Sequence, residues 1–269
     1  MNHNFRQDAK LSLDRAKKEL ESSDLGRLRY AALELRMSME ALTYDRAQAF
    51  IDEIPPAEYG TWQPKKVMKL LIEIEPHADD SSTIRFGRQE TQGQPAKEMR
   101  TLGSEKVFSL AALKKHYDAL GSFLHMPTIK QLNAGDADLE KLKSRCEQIV
   151  AALDLALASR IFNSTLGNFS EMACVECNKP VRKRFPIGHE TVDATCFECG
   201  AGYHLTGKAD NTVEWKPKQQ EVKCPTDSCP HIFAIWEHEI KLGAHWTCPK
   251  CLHHHRLGYA IFSDSETVD

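Results

Sequence analysis

The chain has 269 residues, 41% of them hydrophobic and 27% charged, with a net charge of -3, a composition that excludes disordered and fibrous chains. Residues 1–168 hold 24 of the 35 basic and 24 of the 38 acidic residues, leaving 11 basic and 14 acidic in residues 169–269. Neither half is basic, which argues against strong sequence-independent binding to nucleic acid, since such binding neutralises many phosphates.

In chain order, Ala9, Leu13, Ala16 and Leu20 recur at helical spacing, predicting a first helix over about residues 5–21. After Ser22, Ser23, Asp24 and Gly26, the series Leu28, Ala32, Leu35, Met39 and Leu42 predicts a second, running to about Ile51. On it, Arg36 and Glu40 are four apart, the spacing of an ion pair, and Glu34 shares the same helix. Pro55, Pro56 and Gly60 close that helix; Thr61 and Pro64 open a shorter one over Val67–Ile74.

Residues 76–103 lose periodicity and read as a loop or small hairpin with one strand-like piece, Thr83–Phe86. Helical spacing returns with Phe108, Leu113, Tyr117, Leu120 and Leu124. After a break at residues 127–135 it returns again with Leu139, Leu142, Cys146, Ile149, Val150 and Leu153. Amphipathic helices on short connections predict an antiparallel bundle. Cys146 falls on an apolar face and reads as a buried structural thiol; His116 and His125, nine apart, share no helical face and are not read as ligands. The longest nearly apolar run, residues 149–158, contains Asp154 and falls short of the ~20 residues of a bilayer span. The polar start MNHNFRQDAK lacks a secretory apolar stretch, so the cytoplasm is the expected compartment.

Segments RYAALELRMSMEAL and YDALGSFLH resemble the bacterial HEPN superfamily over about half the chain. The resemblance implies a small helical bundle, often dimeric, and in many members a ribonuclease of defence or toxin systems. Active members carry an arginine and, four to six residues later, a histidine on one helix. No helical histidine here has that arginine; Arg182 or Arg184 with His189 match in number, but Pro186 and Gly188 intervene. The resemblance therefore implies an inactive or scaffolding member.

Eight of the nine cysteines lie between Cys174 and Cys251. Cys174 and Cys177 are followed after eighteen residues by Cys196 and Cys199; Cys224 and Cys229 are followed, again after eighteen, by Cys248 and Cys251. The equal gaps suggest an internal duplication. Two thiolates from each of two tight turns close a tetrahedron around a metal, so this spacing predicts two structural Zn2+ sites. The four-residue gap between Cys224 and Cys229 departs from the usual two.

Each eighteen-residue spacer is expected to be a β-hairpin, with Gly188 turning the first and Ile232, Ala234 and Trp236 alternating in the second. Both segments resemble zinc ribbons. His253, His254 and His255 could substitute as ligands, but four sulfurs already complete the coordination sphere, so they are expected to be exposed on the outgoing strand. Residues 202–208 match the glycine and lysine spacing of a phosphate loop, but Ala209 stands where its Ser or Thr belongs. Lys179, Arg182, Lys183 and Arg184 are the candidate nucleic-acid contacts, with Trp215, Trp236 and Trp246 available for stacking.

The expected class is α+β: a helical bundle over 1–168, one zinc ribbon over 169–219, a second over 220–263, and a flexible tail over 264–269. The expected role is that of a non-enzymatic zinc-binding adaptor, the bundle self-associating as a homodimer or docking and the ribbons recognising a protein partner. A HEPN-type ribonuclease and a nucleic-acid-binding regulator are the alternatives.

Overall fold

The computed structural model describes residues 3–60, 63–91, 94, 96–126, 139–185, 190–210 and 212–259. Thr61, the break at 127–135, Gly188, His189 and the tail at 264–269 lie outside them. The chain divides into two units, Met1–Leu166 and Gly167–Asp269, and its mixed α and β content is segregated between them.

The first unit is built on α1 (Phe5–Leu20), α2 (Leu28–Gln48), α3 (Pro64–Ile74), the strands β1 (Ser82–Phe86) and β2 (Arg100–Glu105), α4 (Leu110–Leu124) and α5 (Leu139–Leu157). Local chemistry sets several of the starts. The side chain of Asn4 accepts from the Gln7 amide, Ser109 accepts from the Ala112 amide, and Pro64 occupies the first turn of α3. The stretch read as a loop or hairpin is an antiparallel pair, β1 with β2, broken by a bulge between Ile84 and Arg85.

Helix α2 touches every other helix and is the axis of the unit. Its apolar series meets Leu13 of α1, Leu71 of α3, Leu113 and Leu120 of α4, and Ile149 and Leu153 of α5 in one core. Cys146 joins that core, where burial pushes its thiol up to about 12 and leaves it inert. Among the described residues no helix is long and apolar enough to cross a membrane.

The polar contacts on α2 differ from the expected i,i+4 pair. Glu34 accepts from Arg15 of α1 at 2.9 Å. Arg36 lies 4.0 Å over the ring of Tyr117, whose hydroxyl donates to Glu40. Helix α4 thus takes the two side chains that spacing alone would pair.

A buried polar knot ties the ends of this unit. Arg46 bonds Glu105 at 2.6 Å and the Ala78 carbonyl at 2.5 Å, while Arg6 reaches Asp45 at 3.4 Å and the Ala156 carbonyl at 2.9 Å. Asn163, at φ 55°, bridges both pairs: its amide donates to Glu105 at 2.7 Å and its side chain to Asp45 at 2.8 Å. Removing one member strands a buried charge. Arg46→Ala is therefore expected to cost about 3–5 kcal/mol, read as a drop in the urea midpoint of the helical signal; a change within about 0.5 kcal/mol would show the knot to be solvated.

Candidate metal centres

Among the described residues the second unit contains antiparallel strands and one short 3-10 turn at Glu237–Glu239. In order they are β3 (Phe169–Ala173), β4 (Pro180–Arg184), β5 (Thr191–Thr195), β6 (Gly202–Gly207), β7 (Val213–Pro217), β8 (Gln219–Lys223), β9 (Ile232–Trp236), β10 (His245–Thr247) and β11 (His254–Arg256). Among the described residues the strands of each spacer do not pair with one another as the expected hairpins require, and the expected turn at Gly188 lies outside those residues. Strand β4 pairs with β3, β5 with β6, β8 with β9, and β10 with β11. Each cysteine pair is itself the turn of a hairpin: Ala173 faces Pro180, Thr195 faces Gly202, Lys223 faces Ile232, and Thr247 faces His254.

The chain reverses at these turns by one repeated device. In the three turns with two residues between cysteines, the amide after the second cysteine donates back to the carbonyl of the first. Asn178 reaches Cys174 at 2.8 Å, Gly200 reaches Cys196 at 2.9 Å, and Leu252 reaches Cys248 at 2.9 Å. That residue is left-handed each time, with φ of 58°, 82° and 60°, a conformation easy for Gly and tolerable for Asn but strained for Leu. In the longer Cys224–Cys229 turn the left-handed residue is Ser228, at φ 64°, before the second cysteine. The extra two residues are absorbed there, and the sulfurs still converge.

Two four-sulfur clusters result, Cys174, Cys177, Cys196 and Cys199 in one, Cys224, Cys229, Cys248 and Cys251 in the other, with all sulfurs of a cluster within 4.8 Å of one another. Across the turns, Cys174 to Cys199 is 3.6 Å, Cys177 to Cys196 3.5 Å, Cys224 to Cys251 3.7 Å and Cys229 to Cys248 3.8 Å. A tetrahedron with metal–sulfur bonds of about 2.3 Å has edges near 3.8 Å, whereas a disulfide needs about 2.05 Å. The donor set and the spacing both fit Zn2+. When bound, the ion supplies charge neutralisation and a cross-link between two hairpins, with every coordination position filled by sulfur.

The thiols within a cluster are not equivalent. At Cys174 burial is opposed and outweighed by the Tyr203 hydroxyl and the amides of Cys177 and Glu176, which hold its pKa near 6. Cys251 is lowered to about 5, chiefly by the His253 amide, with Thr226 assisting, whereas burial and its three neighbours push Cys199 up to about 12. A cation lets all four ionise together, which is why metal loading should be lost as pH falls.

Tyr203 was missed by spacing arguments, and His255, considered as a substitute ligand but expected to be exposed, lies against the sulfurs. Tyr203 lies four residues after Cys199 and His255 four residues after Cys251. The Tyr203 hydroxyl lies 3.0 Å from Cys174 Sγ and accepts from the Val175 amide at 3.1 Å; His255 Nε2 lies 3.3 Å from Cys224 Sγ. Both address the first cysteine of their cluster from the same position of the repeat. His255 is therefore half-buried against the sulfurs, while His253 and His254 are exposed. The signal was in the duplication: aligning the two cysteine sets places Tyr203 on His255.

The two modules share a core. Trp236, on β9 of the second, is 3% exposed and packs edge-on against Tyr203 of the first at 5.6 Å, donating its indole N–H to Glu176 at 3.1 Å. Trp215 is likewise half-buried against Tyr203. The tryptophans are thus largely spent on packing. Of the candidate basic contacts, Lys179 and Arg182 are exposed and Lys183 half-buried, whereas Arg184 is buried and stacked 4.7 Å from Phe169. Residues 202–207, the stretch that matched a phosphate loop, form strand β6.

No family model, no curated protein and no solved structure matches this chain.

Two outcomes test the centres. A zinc chelator at neutral pH is expected to abolish the β signal of the second unit while the helical signal persists; retention of both would show that the hairpins fold without metal. Leu252→Gly, at an exposed left-handed position, is expected to raise stability by several tenths to about 1 kcal/mol. A loss of chelator resistance on that change would mean that the leucine side chain holds the turn.

Proposed function

We propose that the protein is a zinc-stabilised recognition adaptor, with a helical bundle that self-associates and two zinc ribbons that present a binding surface to a protein partner. The observation that carries this reading is the closure of both metal sites. With four sulfurs per ion there is no position for water or substrate, so the metals serve shape rather than hydrolysis.

The exposed apolar residues support the same division of labour. Val175, Phe197 and Leu252, in or beside the cysteine turns, are 63%, 43% and 71% exposed. Val175 and Phe197 adjoin Glu176 and Glu198, both exposed, while Leu252 lies between Cys251 and the exposed His253, a mixed apolar and polar setting that suits a protein partner. On the first unit, Leu11 of α1 and Tyr30, Leu33 and Met37 of α2 are 44%, 62%, 45% and 46% exposed, a stripe of the kind that a second copy covers. A cytoplasmic setting accords with eight reduced sulfurs.

Elemental analysis with native mass spectrometry tests both halves of the reading. Two zinc ions per chain and a dimer that Met37→Glu splits are expected; a metal-free chain, or a monomer, would defeat the corresponding half. RNA cleavage that needs no added metal and disappears in Arg36→Ala would instead support the ribonuclease suggested by the HEPN resemblance.

A further inference from the structure

The β1–β2 hairpin is anchored at its base and open along the rest of its length. Glu105 ends β2 in the buried pair with Arg46, and Gly103 lies so close to Ile161 that a Cβ there would come within 2.5 Å of its Cδ1. Ile84 faces Gly103 across the ladder and shares that inner side. Past the bulge, Arg85, Phe86, Arg88, Met99, Arg100 and Leu102 are all exposed. The Phe86 ring is 56% exposed.

The arm carries Arg85, Arg88, Lys97 and Arg100 against the exposed Glu90 and Glu98 and the buried Glu105. Lys97 pairs with Glu90 at 2.5 Å, but among the described residues Arg85, Arg88 and Arg100 have no carboxylate partner. Arg15 and Arg27, exposed on the helices of the same unit, each sit on a glutamate at 2.9 and 2.6 Å. The register places Phe86 opposite Arg100, so ring and guanidinium form one surface, while Arg85 lies on the other face opposite Thr101.

From this juxtaposition we infer that the arm binds single-stranded nucleic acid. Phe86 stacks an unpaired base, Arg100 takes the adjoining phosphate, and Arg85 and Arg88 contact flanking phosphates. Guanidinium forks match phosphate oxygens, and a flat exposed ring is used by a base but idle against an acidic peptide. The buried ion pair at the base keeps the arm from folding away, so little ordering is needed on binding. The site belongs to the helical unit, whereas Lys179 and Arg182 belong to the second, and it does not rest on the zinc reading.

Fluorescence anisotropy of the full-length, metal-loaded protein with labelled oligouridine and oligothymidine tests this. Either strand should bind, with affinity falling as salt rises. Phe86→Ala should weaken binding about fivefold or more, and the combined Arg85→Ala, Arg88→Ala and Arg100→Ala variant should flatten the log–log salt slope by about 2, at about 0.7 per phosphate. Unchanged thermal unfolding and zinc content would show that these exposed changes act on contact alone. The inference is overturned by absent binding at low salt, by binding to duplex only, or by affinity lost in Lys179→Ala with Arg182→Ala but kept in the arm variants. Displacement of the strand by polyglutamate as readily as by unlabelled oligouridine would overturn it in favour of an acidic peptide.

Discussion

Four sulfur atoms held within a few ångströms of one another are the constraint on which the second unit depends. Without a cation, ionising a second thiol beside a first thiolate is opposed by repulsion at under 4 Å, and the thiols of one cluster separate into acidic and reluctant members. With a divalent ion the same closeness becomes attraction. The apolar material available to do this work otherwise is small: the buried core around the second cluster consists of Phe233 and two of the ligands themselves, Cys224 and Cys248. A core of that size cannot offset the ordering of some forty residues at more than 1 kcal/mol each, so metal binding and folding are one event.

The duplicated geometry makes the second-site asymmetry informative. Both clusters direct a donor at their first cysteine from the same place in the repeat, yet the donor is a buried phenol in one and a half-buried imidazole in the other. The first module also owns a third strand, β7, and receives Trp236 from its neighbour. The second module gives up that indole to the first and keeps Phe233, edge-on to Trp246 at 5.8 Å, as its largest ring contact. The stability of the pair is therefore concentrated on the first cluster, and the second is held partly through its docking onto it.

How much of this was legible in the sequence depended on the range of the interaction. Helices α1, α2, α3, α4 and α5 follow from apolar spacings of three and four, a signal contained within each segment. The eight ligands follow from a chemistry that admits few alternatives. The strand pairing did not: HIFAIW has the alternation of a strand and is one, but its partner β8 is the exposed, polar QQEVK, which carries no period to read. Spacing reads the cysteine pairs as tight turns but places the hairpin in the spacer between them, whereas the left-handed residue at each turn makes the pair the loop of its own hairpin. The Arg46–Glu105 pair joins residues 59 apart, and nothing local announces such a contact.

Placement of the exposed groups separates two surfaces of different character. On the cysteine turns Val175 and Phe197 lie beside glutamates; on the β1–β2 arm Phe86 lies opposite Arg100, which among the described residues has no carboxylate partner. Such unpaired charges cost the fold little, since a surface ion pair contributes at most about 1 kcal/mol. Arg46, Glu105, Asn163, Asp45 and Arg6 are satisfied within the unit, so the base of the hairpin is rigid and its outer charges need no partner to hold the fold. The arginines buried in the knot thus secure the helices, and the proposed nucleic-acid contacts fall to those on the arm, on which the fold does not depend.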